Sequence, residues 1–431
     1  MSGPSIIAPT IPGDAAPPQP APISLAQITI AETYTRPPQD RPPHATIDGI
    51  AEWLAEPIRP MGSGVDIFDL FAWNLVAAGV PLLRVTLHVG MIHPQFLGTT
   101  IVWWRDTAQT VQAMIAHEVA DTIPHEQNPV RRVCLGGETL RRRLDLPDHQ
   151  LDFAVLMELR DRGGTDYLAL PIAGTHATHY MVTFVTDQPG GFPQHHIANF
   201  ERLSRRLGIV IDRYSQWWIV RNLLGVYLGA RTGPKVLDGQ IRRGTGMDLT
   251  AILWSSDLRG FTARSDRLPG DRMIDILNAL FEAQAAAIRQ HGGEILKFIG
   301  DGILAIFPIE APEAAAEIAH GAVGAAREAV AAVSRLVDHP SMTDEPPLDI
   351  VVALHAGTVN YGNIGAVDRL DFTVIGPAVN LVSRIETVAK ALGRPIVVSD
   401  DLARLLGGGV VSLGHHHLRG LATPHELFVP A

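Results

Sequence analysis

The 431-residue chain contains a single cysteine, Cys134. One thiol excludes an intrachain disulfide and any Cys-rich zinc site, and such sparing use suits a reducing compartment. Positive charge is also short: 35 Lys and Arg stand against 45 Asp and Glu, a formal net charge of −10. A mildly acidic chain is poorly suited to wrapping nucleic acid or coating an anionic membrane. Long hydrophobic runs are missing too. Stretches such as 76–83 and 323–333 are too short or broken by charge, whereas a helical span needs about 20 apolar residues. The first residues have no basic start, and their apolar side chains are scattered among prolines, unlike a signal peptide. The expectation is a cytoplasmic protein with no membrane span and no nucleic-acid partner.

What is present is an ordinary globular composition, 46% hydrophobic and 19% charged residues, with length for two or three domains. Residues 1–44 are rich in proline, which disfavours helices and central strands, and they read as a disordered tail. Residues 45–193 follow as an α+β block. Helical spacing of Ile67, Leu70, Phe71 and Leu75 predicts a helix over 66–78. β-Branched and aromatic runs predict strands over 82–89, 99–104, 167–171 and 180–186, and a further helix is expected near 138–143. This pattern suggests a sensor-type module of PAS or GAF shape, with an unknown ligand or partner.

Residues 194–248 read as a coupling helix and a Gly-rich linker. Phe200, Leu203, Leu207, Val210, Tyr214, Trp217 and Leu224 recur in alternating steps of three and four. Such a seam fits either a parallel coiled coil or a helix packed on its own domain. From residue 249 to 431 the predicted order is β-α-β-β-α-β, the ferredoxin-like arrangement, followed by a helix over 378–392 and strands near 396 and 427. Two strands, 294–299 and 303–307, are joined by Gly300-Asp301-Gly302, a strong hairpin signal.

Two carboxylates stand out. Asp257 ends the first strand of the C-terminal domain, and Asp301 sits at the hairpin tip. A ferredoxin-like sheet places those points side by side. Each aspartate alone could be a turn former; together they could hold a pair of Mg²⁺ ions, which take oxygen ligands and substrate phosphates.

Here the sequence resembles a known family, the class III adenylate/guanylate cyclase catalytic domain. Four motifs carry the resemblance: Ser256-Asp257-Leu258-Arg259-Gly260-Phe261-Thr262; Lys297-Phe298-Ile299-Gly300-Asp301-Gly302; Thr373-Val374-Ile375-Gly376-Pro377-Ala378-Val379-Asn380 with Ser383-Arg384; and Leu418-Arg419-Gly420. The resemblance implies a phosphorus–oxygen lyase that converts ATP to 3′,5′-cyclic AMP and pyrophosphate. Asp257 and Asp301 match the ligands of two Mg²⁺ or Mn²⁺ ions. Asn380 matches the ribose-orienting residue, and Arg384 the residue that stabilises charge on the α-phosphoryl group. Arg419 falls where the family carries a cation for the terminal phosphates. Lys297 matches the adenine-reading lysine, and Thr373 the acceptor for the adenine 6-amino group.

The resemblance further implies a homodimer whose partners complete each other's sites. Two positions depart from the family pattern: Pro377 stands where Asp or Asn is frequent, and Thr358 where some members place an arginine. The alternatives are a guanylate cyclase or a catalytically weak nucleotide-binding regulatory dimer. A diguanylate cyclase is excluded, because Gly292-Gly293-Glu294 runs into Ile295-Leu296 rather than Glu-Phe and precedes the strand. His176, His179, His195 and His196 could suggest a metal or haem in the N-terminal block, but no compact carboxylate or Cys framework accompanies them. These histidines, and the run His415-His416-His417, read as solvated or capping side chains.

Overall fold

The computed structural model describes residues 28–56, 64–119, 129–146, 151–175, 179–229, 231–242, 244, 246–366 and 368–431. The chain divides into two compact units, Met1–Asn222 and Leu223–Ala431.

The N-terminal unit is built on seven strands: β1 (Ile28–Thr35), β2 (Arg84–Gly90), β3 (Phe96–Trp104), β4 (Gln109–Ala116), β5 (Leu140–Arg143), β6 (Asp166–Ala173) and β7 (His179–Thr186). They form one sheet in the order β1-β4-β3-β2-β7-β6-β5, and every pair is antiparallel. Side-chain alternation along each strand serves two cores. Tyr180, Val182 and Phe184 of β7 join helices α1 (Ile47–Trp53) and α2 (Gly64–Ala77) on one face. Met181 and Val185 join α3 (Pro129–Gly136) and α4 (Ala154–Asp161) on the other. The long helix α5 runs from Gln194 to Leu228.

Several expectations are corrected in this unit. The expected disordered tail, 1–44, lies outside the described residues up to position 27, but residues 28–44 are ordered. Prolines cluster before 23 and after 36, leaving room for β1 to pair with β4. Arg36 then anchors the segment, its Nε donating to the fully buried Asp69 at 2.6 Å, while Thr110 donates to the other oxygen at 2.7 Å. The helix expected near 138–143 is strand β5 instead, paired with β6. Its consecutive arginines engage Asp166, Asp152 and Asp145, so cross-strand and loop charges decide the local structure. The apolar seam of α5 is also resolved: Phe200, Leu203, Leu207 and Val210 are buried in the unit's own core, not in a coiled coil. Trp217, by contrast, is 52% exposed.

The C-terminal unit begins at Leu223, in the last turns of α5. Helix α6 (Thr232–Leu237) is tied down by Thr232, whose hydroxyl meets the Tyr361 hydroxyl at 2.7 Å. Then come β8 (Gly246–Leu258), α7 (Phe261–Ser265), α8 (Gly270–Gln290), β9 (Glu294–Ile299), β10 (Gly302–Pro308), α9 (Ala315–Ser334) and β11 (Ile350–Gly365). The strand order β11-β8-β10-β9, antiparallel throughout, is that of a βαββαβ ferredoxin-like sheet. β12 (Leu370–Ile375) pairs with β11, and helix α10 (Pro377–Ala391) follows. β13 (Ile396–Ser399), α11 (Asp400–Leu406), β14 (Val410–His416) and β15 (His425–Pro430) complete the unit. The antiparallel hairpin and crossover helices therefore match the expected catalytic-domain fold.

Again the alternation of β8 decides what each face meets. Ile252 and Trp254 pack with α8 and α9, while Ala251 and Leu253 pack with α10. Residues 255 and 257 therefore share the α10 side of the sheet. Pro377, a departure from the family pattern, is the first residue of α10, where its fixed φ and missing N–H suit a helix start. Among the described residues no helix is long and apolar enough to cross a membrane.

Candidate active site

The β9–β10 hairpin tip lies against the end of β8. Ile303 pairs with Ser256, which leaves Gly302 beside Asp257. A Cβ on Gly302 would stand 2.4 Å from the Ser256 carbonyl oxygen and 3.4 Å from Asp257 Oδ1, so a side chain there would collide with backbone. Gly300, with φ +62°, supplies the left-handed turn residue. The Gly-Asp-Gly pattern is thus a steric requirement for bringing Asp301 next to Asp257.

Electrostatics records the convergence. Burial pushes the Asp301 carboxyl above its ordinary value, and the Asp257 charge pushes it further; the Leu258 N–H, which Asp301 accepts, opposes the shift. Like carboxylates held together favour one bound proton or a cation between them. The donor set suits a hard divalent ion: a carboxylate at the end of β8 and a second at the adjacent hairpin tip. No cluster of three or more ligating His, Cys, Asp or Glu side chains exists among the described residues.

A third group, not foreseen from the sequence, joins this pair. Lys390 at the end of α10 forms an ion pair with Asp257 and a second, at 3.0 Å, with Glu386 one turn earlier. Glu386 in turn accepts a hydrogen bond from the Ser255 hydroxyl at 2.5 Å. Burial works against the ammonium, but hydrogen bonds to Asp257 and Glu386 hold the Lys390 pKa above its ordinary value. The i,i+4 spacing of Glu386 and Lys390 was legible as a helical charge pair. Their meeting with Asp257 depends on which face of β8 looks at α10.

The remaining predicted residues form a second group. Lys297 on β9 donates to Asp371 on β12 at 3.4 Å. Thr373, two residues on and on the same face of β12, is 7% exposed, and its hydroxyl has no hydrogen-bond partner among the described residues. Asn380 and Arg384 sit four residues apart on α10 and share one of its faces. Arg384 lies beside the Leu418-Arg419-Gly420 turn: a Cβ on Gly420 would stand 3.5 Å from its Nη2. Arg419 itself is exposed in that turn, and Thr358 is exposed on β11.

Of the histidines, His176 lies outside the described residues. The His195 and His196 rings meet edge to face, 4.2 Å apart, at the start of α5. His179 is exposed at the start of β7. A cavity of about 260 Å³ lies between residues 239–247 and the Tyr361–Asn363 region, at the opposite end of β8 from Asp257.

Residues 246–427 match the family model for the adenylate and guanylate cyclase catalytic domain. An adenylate cyclase of Anabaena cylindrica is 34% identical over 154 residues, covering 35% of this chain and 29% of the relative. Adenylate cyclase 2 of Rhizobium meliloti is 28% identical over 214 residues, covering 45% of this chain and 58% of the relative. The chain thus spans less than two thirds of either relative. Among solved structures, a guanylyl cyclase, Cya2, shows 30% identity over 42% of this chain and 92% of its own, with a TM-score of 0.38. The segment from residue 246 to residue 427 therefore belongs to the class III adenylate/guanylate cyclase family.

Proposed function

We propose that the protein is an adenylate cyclase that converts ATP to 3′,5′-cyclic AMP and pyrophosphate at sites shared between two copies of the chain. The observation that carries this reading is the convergence of Asp257 and Asp301 at one strand end, in a domain of this family. Asp257 and Asp301 would hold two Mg²⁺ or Mn²⁺ ions, which would supply positive charge for activating the ribose 3′-hydroxyl and for neutralising the triphosphate.

The other roles fall to the chain's own side chains. Asn380 orients the ribose through its amide. Arg384 offers a planar guanidinium fork to the α-phosphoryl oxygens, and Arg419 adds positive charge toward the terminal phosphates. Lys297 donates to adenine N1, a position at which guanine carries a hydrogen and would repel the donor. Thr373 accepts from the adenine 6-amino group, and its buried, unpartnered hydroxyl supports that role.

The sharing of sites is what the family resemblance implies, and helix geometry is compatible with it. Asn380 and Lys390 are ten residues apart on α10, about 15 Å along the axis at 1.5 Å per residue, and it is Lys390 that touches Asp257. That spacing is compatible with the metal aspartates and the ribose residue of one chain serving different substrates, as the family resemblance implies. An isologous dimer supplies both sets to each of two equivalent sites. The N-terminal unit, an antiparallel sheet covered by helices, is a sensor module of PAS or GAF type that regulates catalysis through α5.

The decisive experiment is a cyclase assay on the purified chain with ATP and GTP side by side, in Mg²⁺ and in Mn²⁺. Cyclic AMP as the main product supports the reading. Cyclic GMP as the main product replaces it with a guanylate cyclase. Nucleotide binding without a cyclic product reduces the chain to a regulatory dimer.

A further inference from the structure

The ion pair between Lys390 and Asp257 has a consequence for metal binding. The Lys390 side chain is 37% exposed, Asp257 22% and Glu386 13%, so the ammonium is partly withdrawn from water and held by two carboxylates. Glu386 is itself fixed, since Ser255 donates to it from the same face of β8 that presents Asp257. The lysine thus has two seats. One is on Asp257. The other is on Glu386, one turn earlier on α10, at 3.0 Å.

We propose that Lys390 is a built-in competitor for the divalent cation, its ammonium resting on Asp257 and withdrawing to Glu386 when an ion takes that carboxylate. This inference rests on the assignment of metal ions to Asp257 and Asp301. Lys390 is a positioning residue here, because it acts on substrate only through Asp257. Its charge sets the cation concentration at which the carboxylate pair becomes available, and Glu386 lowers the cost of displacement by leaving no unpaired ammonium behind. An uncompensated charge in a half-buried setting is what the second seat avoids.

Lys390 and Glu386 then act on divalent binding in opposite directions. Removing the lysine charge with Lys390→Met takes away the competitor and tightens divalent binding. A part-exposed pair is worth at most about 1 kcal/mol, so the expected gain is about fivefold in affinity. Removing the second seat with Glu386→Gln leaves the ammonium on Asp257 alone and weakens divalent binding by a similar factor. A distant loss of negative charge would weaken it as well. The double variant separates the two: if Glu386 acts through Lys390, Glu386→Gln has no effect in the Lys390→Met background.

The test is direct Mn²⁺ binding to the full-length, nucleotide-free protein, read from the electron paramagnetic resonance of free Mn²⁺. Wild type, Lys390→Met, Lys390→Gln, Glu386→Gln, the double variant and Asp257→Asn are compared, with thermal melts to confirm folding. Tighter binding in both Lys390 variants, together with loss of the Glu386→Gln effect in the double variant, supports the competitor. Unchanged or weaker binding in folded Lys390 variants overturns it, while the metal assignment stands if Asp257→Asn still removes Mn²⁺. Binding that Asp257→Asn leaves untouched overturns both the metal assignment and the competitor.

Discussion

At the scale of single residues, the two aspartates carry the heaviest demand. Asp257→Asn and Asp301→Asn keep the shape of the side chain but remove the charge that the proposed metal-holding role requires. Loss of one preorganised electrostatic group of this kind costs roughly 3–4 kcal/mol, or about 10²–10³ in turnover. Steady-state rates at saturating metal test this: a variant retaining more than about a third of wild-type turnover would show that its carboxylate is not a ligand. Base choice is the second demand. Lys297→Glu combined with Thr373→Cys exchanges donor and acceptor at the base, and each buried mismatch costs on the order of 1–3 kcal/mol. The kcat/KM ratio for ATP over GTP should fall by at least tenfold; an unchanged ratio would mean that neither side chain reads the base. The Lys297–Asp371 ion pair adds a control, since Asp371→Asn frees the lysine without altering its charge.

At the scale of elements, α5 shows how one helix can carry two messages. Its sequence has a clean three-and-four repeat, and periodicity alone does not say what covers it. In the structure the first turns are buried against the sheet, and Gly208 marks the closest approach: a Cβ there would stand 2.4 Å from Ile172 Cγ2. On propensity Gly208→Ala would stabilise the helix by about 0.8–1.0 kcal/mol. The collision with Ile172 reverses the sign, because overpacking costs typically about 1–3 kcal/mol. Calorimetry should show the transition of the N-terminal unit lowered by a few degrees, at about 2–4 °C per kcal/mol for a unit of this size. Adding Ile172→Ala should shrink the effect of Gly208→Ala; a rise in melting temperature with Ile172 intact would show that the helix moves aside.

Element by element, the sequence was most readable where local chemistry and tertiary demand agree. The hairpin around Asp301 falls where Gly300 and Gly302 require it, and strand β9 spans 294–299 as expected. It was least readable where long-range charge decides, as in β5, whose arginines are held by aspartates up to 25 residues away, and in β1, whose edge pairing no local signal marks. The same limit hid Lys390 from the site. Its pairing with Glu386 is local, while its pairing with Asp257 depends on the registers of β8 and α10 in three dimensions.

At the scale of the whole molecule, the proposed division of labour between two copies is open to a direct test, because a single chain carries every predicted site residue. If Asp257 acts from one copy and Arg384 from the other, an Asp257→Asn chain and an Arg384→Ala chain are each nearly inactive alone. In a mixed dimer one site collects both defects and the other has neither. Random pairing makes about half of the dimers mixed, each with one intact site of two, so activity should recover to roughly a quarter of wild type when sites work independently. Differently tagged chains establish that subunits exchange, and co-purification gives the mixed fraction against which the recovered rate is scaled. A mixture that exchanges but stays at the level of its parents would place all the chemistry within one chain. Recovery in proportion to the mixed fraction would require that Asp257 and Arg384 meet the same substrate from opposite partners.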